Sequence, residues 1–189
     1  MPVTDADIVN QALFMMSDKV PPVTGTAPTF DDSVAGKAAA RLYAPAVATI
    51  ARSYEWDMAR REIALTLSGN PTPALSFAFE YLYPANGIEI WQVRAPVVDK
   101  FNPVPVNYTV GNTLIGSTQK KVIWTDVAGA LGIYNNNPTP DVWDAGFREA
   151  VVRLLASEFA TALAGRIETS TALLETSGGM RNMAQGRDA

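Results

Sequence analysis

Apolar positions recur every three or four residues from Ala35 to Tyr54: Ala35, Ala38, Ala39, Leu42, Ala46, Ile50 and Tyr54. That spacing places them on one stripe of a helix, with Lys37, Arg41 and Arg52 falling largely off it. The stretch 31–65 therefore predicts a long amphipathic helix running into a strand. The stripe is rich in alanine, which lets another helix approach closely. Asp31 or Asp32 is placed to cap the first turn, since a carboxylate accepts the free N–H groups there. Pro45 removes one helical hydrogen bond and predicts a kink between Arg41 and Thr49. At Ile63–Leu67 the period changes to two.

Upstream, Thr4 with Asp7 three positions later forms a capping box. Ile8, Val9, Ala12, Leu13 and Met16 then give a short helix, stopped before Pro21-Pro22. Residues 20–30 read as a loop. Downstream, Phe77, Phe79, Tyr81 and Tyr83 fall on one side of a strand, and Ile88–Val93 makes a second. Gly111-Asn112 reads as a tight hairpin turn between 104–110 and 113–115. Val122–Trp124 is a further strand, and Tyr134–Pro140 reads as a linker. Helical spacing returns after Asp141, a candidate cap, through Trp143, Phe147, Val151, Leu154, Leu155, Phe159 and Ala162. A last helix starts at Thr169 or Ser170 and is weakened by Gly178-Gly179. The expected class is α+β: an antiparallel helical bundle with an inserted small antiparallel β domain. Residues 1–62 supply the first half of the bundle, 63–140 the β domain, and 141–189 the second half with a C-terminal docking segment.

Composition narrows the chemistry. Hydrophobic residues make up 48% of the 189-residue chain and charged residues only 18%. A surface so poor in charge predicts subunit contacts over part of it. The net charge of −4 argues against a surface that grips phosphates. With no cysteine and no histidine, thiolate nucleophiles, zinc–thiolate sites and Ser–His pairs are excluded. No cofactor and no metal site is expected. No run of eighteen apolar residues suggests a membrane span, and the start, MPVTDADIVNQALF, does not read as a signal peptide.

The chain resembles the head–tail connector, or adaptor, proteins of tailed phages, the tail tubular protein A family. A long helix ends in Trp56-Asp57-Met58-Ala59-Arg60-Arg61. An aromatic strand ends in Tyr83-Pro84, as Phe79-Glu80-Tyr81-Leu82-Tyr83-Pro84. Ile88 to Arg94 carries an arginine, and Tyr108 to Ile115 resembles the family's hairpin. Phe147 to Gly165 matches its second long helix, followed by Arg166-Ile167-Glu168-Thr169-Ser170. The order and spacing of these stretches, over nearly the whole chain, carry the likeness.

The resemblance implies a virion protein of the neck, assembled in the host cytoplasm, that is not an enzyme. It forms a ring, usually of twelve copies, beneath the portal. The ring extends the channel through which DNA passes without specific binding, and docks a tail or nozzle protein. Partners are thus the portal, the tail or nozzle and further copies of itself, with no membrane. The expected portal-binding residues are Met180, Arg181, Met183 and Arg187: the methionines share a helical face, and the arginines fork to carboxylates. The expected tail-facing residues are Lys100, Phe101, Asn102, Gly111 and Asn112.

Other residues have two readings. Phe77, Phe79, Tyr81 and Trp91 suit either a stacking platform or a β-domain core. Glu80 and Glu89 suit either a glycosidase pair, in a carboxylate-dependent cell-wall hydrolase, or surface strand positions. Arg60 and Arg61 suit a partner's carboxylates or a solvated helix end. Lys120-Lys121 reads as a solvated turn.

Overall fold

The computed structural model of the chain describes residues 2–16, 20–70, 76–96 and 106–164. The element order is α1 (Asp5–Met16), β1 (Gly25–Thr26), β2 (Thr29–Phe30), α2 (Val34–Ser53), β3 (Arg60–Ala64), β4 (Phe79–Leu82), β5 (Glu89–Arg94), β6 (Tyr108–Ile115), β7 (Thr118–Thr125), β8 (Leu131–Asn135) and α3 (Ala145–Phe159). The expected antiparallel helical bundle with a small inserted β domain is overturned. Eight strands in three small antiparallel sheets outnumber the three α-helices among the described residues. Two stretches read as coil account for part of the difference. Residues 20–30 contain the β1–β2 hairpin, and Tyr134-Asn135 ends a strand. The chain forms two compact units, one of residues 1–58 and 137–189, the other of residues 59–136.

In the first unit, Thr4 and Asp7 close their box. The Thr4 N–H and hydroxyl donate to Asp7 Oδ2 (2.9 and 2.8 Å), and the Asp7 N–H donates to Thr4 Oγ1 (3.2 Å). Ile8, Val9, Ala12 and Leu13 form the buried face of α1. Asn10 holds the following segment, donating to the Val23 carbonyl (2.9 Å) and accepting the Val23 N–H (2.7 Å).

The cap of α2 is neither Asp31 nor Asp32 but Ser33, whose Oγ accepts the Gly36 N–H (2.9 Å). Asp31 is occupied elsewhere. It accepts the Thr24 N–H (2.6 Å) from the β1–β2 hairpin and the Ser33 N–H (3.0 Å). The Ser33 hydroxyl, then the backbone N–H groups of Thr24 and Ser33, hold its carboxyl down at about 2. Helix α2 continues through Pro45, which lies exposed. Of the predicted stripe, Ala35, Ala39, Ala46 and Ile50 are buried and Ala38, Leu42 and Tyr54 half-buried, and Val47, outside that stripe, is buried as well.

The cap of α3 is Asp144, which accepts the Phe147 N–H (2.6 Å). Asp141 lies instead in a short 3-10 turn, Pro140–Val142. Helix α3 packs on both α1 and α2. Aromatic rings line that seam. Trp56, whose indole N–H donates to the Ile50 carbonyl (3.0 Å), meets Phe147 edge-on at 5.1 Å. Phe147 meets Trp143 at 4.8 Å, and Trp143 stacks on Tyr43 at 6.5 Å. A π-helical turn, Ala160–Ala164, continues α3. The expected final helix at 169–174 and Gly178-Gly179 lie outside the described residues.

The second unit contains two three-stranded antiparallel sheets, ordered β3-β8-β5 and β4-β7-β6. Leu65, Tyr81, Ile90, Val93, Ile123 and Ala130 from both sheets share one core. The hairpin expected at Gly111-Asn112 is overturned. Strand β6 runs unbroken through both residues, with Gly111 opposite Val122 and Asn112 opposite Lys121. The chain reverses later, between the paired residues Ile115 and Thr118. Gly116, at φ 63°, supplies the left-handed first position of that two-residue turn. Lys120-Lys121 is accordingly strand rather than turn, and the Lys121 ammonium sits 3.6 Å from the centre of the Tyr83 ring.

Candidate assembly surfaces

The expected portal-binding residues Met180, Arg181, Met183 and Arg187 lie outside the described residues, as do Lys100, Phe101 and Asn102. Gly111 and Asn112 are described, but as mid-strand positions. An ideal Cβ on Gly111 would come within 2.3 Å of Trp124 Cζ3, so Gly111 serves packing in its own sheet.

The two carboxylates proposed as a catalytic pair stand in different sheets, Glu80 in β4 and Glu89 in β5. Glu80 is not a surface residue; it is 2% exposed. Its Oε1 accepts the Ser68 hydroxyl (2.7 Å), and its Oε2 accepts the Trp124 indole N–H (2.7 Å) and the Asn70 amide (3.3 Å). A buried carboxylate with both oxygens engaged fixes neighbouring side chains and offers no oxygen to a substrate. Of the aromatic set, Tyr81 and Phe79 belong to the core, while Phe77 and Trp91 are half-buried. Tyr81 is buried and donates its hydroxyl to the Val127 carbonyl (2.8 Å), while Phe79, Tyr83 and Tyr108 pack around it. Arg60 and Arg61 begin β3 as exposed residues. Arg94, on β5, forms an ion pair with Glu62.

Two exposed apolar features stand apart from these. The first lies in the unit of residues 1–58 and 137–189. A groove of about 390 Å³ runs between α1 and α3, lined by Gln11, Phe14, Met15, Ala145, Arg148, Glu149 and Val152. It adjoins a second hollow, of about 470 Å³, lined by Pro2, Val3, Asp7, Asn10, Gln11 and Phe14. Phe14 is 73% exposed because the inward positions of α1 are taken by Ile8, Val9, Ala12 and Leu13.

The second lies in the unit of residues 59–136. Strands β6 and β7 pair over their full length, but β4 pairs only with Val122–Thr125 of β7. Among the described residues the far end of the hairpin, Thr113–Ile115 with Thr118–Lys120, has no third strand and forms a two-stranded arm, while at its base the Lys121 carbonyl accepts the Tyr83 N–H (3.1 Å). Leu114 on this arm is 71% exposed. The arm carries Lys120, with Lys121 at its base, and neither of its strands has an acidic residue. A two-stranded ribbon is marginal alone in water and gains stability from what it lies against. Periodicity did not mark the arm, because it arises from a difference in strand length that only the pairing reveals. The one available signal was the uncharged alternation of 108–115 followed by Gly116-Ser117.

Among the described residues, no cluster of acidic, histidine or cysteine side chains is placed to hold a metal, and no helix is long and apolar enough to cross a membrane. No model of a known protein family matches the chain, and no curated protein matches it.

Proposed function

We propose that this protein is a structural adaptor of a tailed phage or phage-like particle, a ring of copies that joins portal to tail and continues the DNA channel. The two-stranded arm carries this reading. A projecting ribbon with an exposed leucine, in a chain poor in charge, suits a protein stabilised by neighbouring subunits. The other exposed apolar feature, at Phe14, gives each copy another surface for such contacts. The family resemblance of the sequence supports the specific place, between portal and tail, and the copy number of twelve. The negative charge suits a channel that lets DNA pass without retention.

Negative-stain imaging and sedimentation velocity of the purified protein, alone and with portal rings, test this. A ring, or a second tier on the portal, is the expected result. A protein that stays monomeric in both cases would overturn it. The portal contact is tested separately by a truncation ending at Ser177, expected to assemble normally but to lose portal binding.

A further inference from the structure

We infer that the β6–β7 arm of one copy seats in the α1–α3 groove of the next copy. This inference rests on the adaptor reading and names the contact that would build its ring. Three observations carry it. Each surface displays exposed large apolar side chains, Leu114 on the arm and Phe14 with Met15 at the groove. Burying Leu114 and Phe14 on each other removes from water two large apolar side chains that are 71% and 73% exposed.

The second observation is charge. Residues 59–136, which bear the arm, hold six basic and five acidic residues, whereas residues 1–58 with 137–189 hold nine basic and fourteen acidic. The net charges, +1 and −5, attract between unlike units of different copies and repel between two groove-bearing units. Lys120 places positive charge on the arm and Lys121 at its base; in the groove Arg148 and Glu149 offset each other, and Asp7 adds a negative charge in the adjoining hollow. The third is symmetry. An arm and a groove are different surfaces, so their contact is head-to-tail, and a head-to-tail contact that closes makes a ring. A groove-to-groove contact would stop at a dimer.

Phe14→Glu disables the groove and spares the arm, while Leu114→Glu disables the arm and spares the groove. Both positions are largely exposed, so both variants are expected to fold. Each alone is expected to sediment as a monomer. Mixed, they are expected to form 1:1 dimers, because the intact arm of one meets the intact groove of the other. The chain has no cysteine, so Met15→Cys with Leu114→Cys gives a second readout: a ladder of covalent oligomers on oxidation that neither single variant gives. If the wild type forms rings that Leu114→Glu also forms, or if the mixture stays monomeric, the contact is wrong while the adaptor reading stands. If the wild type forms no ring with or without portal, both fall.

Discussion

Gly111 of β6 lies against the six-membered ring of the Trp124 indole on the neighbouring strand, with no room for a methyl group. Gly111→Ala therefore drives a carbon into a buried ring whose N–H is committed to Glu80. A change that overpacks a core costs about 1–3 kcal/mol. Urea unfolding followed by tryptophan emission is expected to show that loss. A variant as stable as wild type would show that Trp124 yields freely.

Tyr43 and Asp5 are joined across 38 positions of sequence by a 2.7 Å hydrogen bond, and the other Asp5 oxygen accepts the Ala27 N–H. Burial, then the bond to Asp5, pushes the Tyr43 phenol well above its ordinary range. Tyr43→Phe keeps the ring between Phe30 and Trp143 but leaves Asp5 short of a donor. A hydrogen bond to a charged group contributes about 1.5–3 kcal/mol, and thermal unfolding is expected to report a loss of that size. Spectrophotometric titration is expected to find one tyrosine that does not ionise before the chain unfolds in alkali.

Asp31 ties the β1–β2 hairpin to the start of α2, and its carboxyl titrates near 2 rather than at the ordinary 3.8. A carboxyl lowered on folding contributes stability above its unfolded value and loses it as pH falls through the folded one. Asp31→Asn is therefore expected to melt below wild type at neutral pH. The gap should narrow from about pH 4 downward and close near pH 2. A gap independent of pH would assign the effect to shape rather than charge.

Glu158 on α3 is half-buried, its Oε2 has no hydrogen-bond partner among the described residues, and desolvation raises its pKa. A carboxyl raised on folding opposes folding where it is ionised. Glu158→Gln is expected to raise the melting temperature at pH 7 and to lose that advantage in acid, where the wild-type group is protonated. Calorimetry at the two pH values checks both signs.

Periodicity located what depends on a single element. The stripe of Ala35, Ala39, Ala46 and Ile50, and the box of Thr4 with Asp7, are local patterns, and the structure contains both. It failed where two groups compete or where strands must find each other. Asp31 is a fair cap in isolation, but the hairpin N–H of Thr24 claims it, and Ser33 caps instead. Asp141 lost to Asp144 in the same way. Gly111-Asn112 has the composition of a turn, yet a strand needing a flat residue under Trp124 uses that glycine too. Glu80 resembled any polar strand residue until Ser68, Asn70 and Trp124 closed around it. The arm was the least legible of all, being defined by where β4 ends rather than by its own residues.

One feature of the chain path also sets a timetable. Helices α1 and α2 leave the ribosome before β3–β8, and α3, against which both pack, comes only after them. Roughly eighty residues intervene, about ten seconds of translation at common rates. The strand-rich unit is one continuous segment and has all its parts when Asn136 emerges. The helical unit must wait for α3, which packs on both earlier helices. Newborn chains therefore pass through a stage in which one unit is complete and the other is half a core in search of its partner helix.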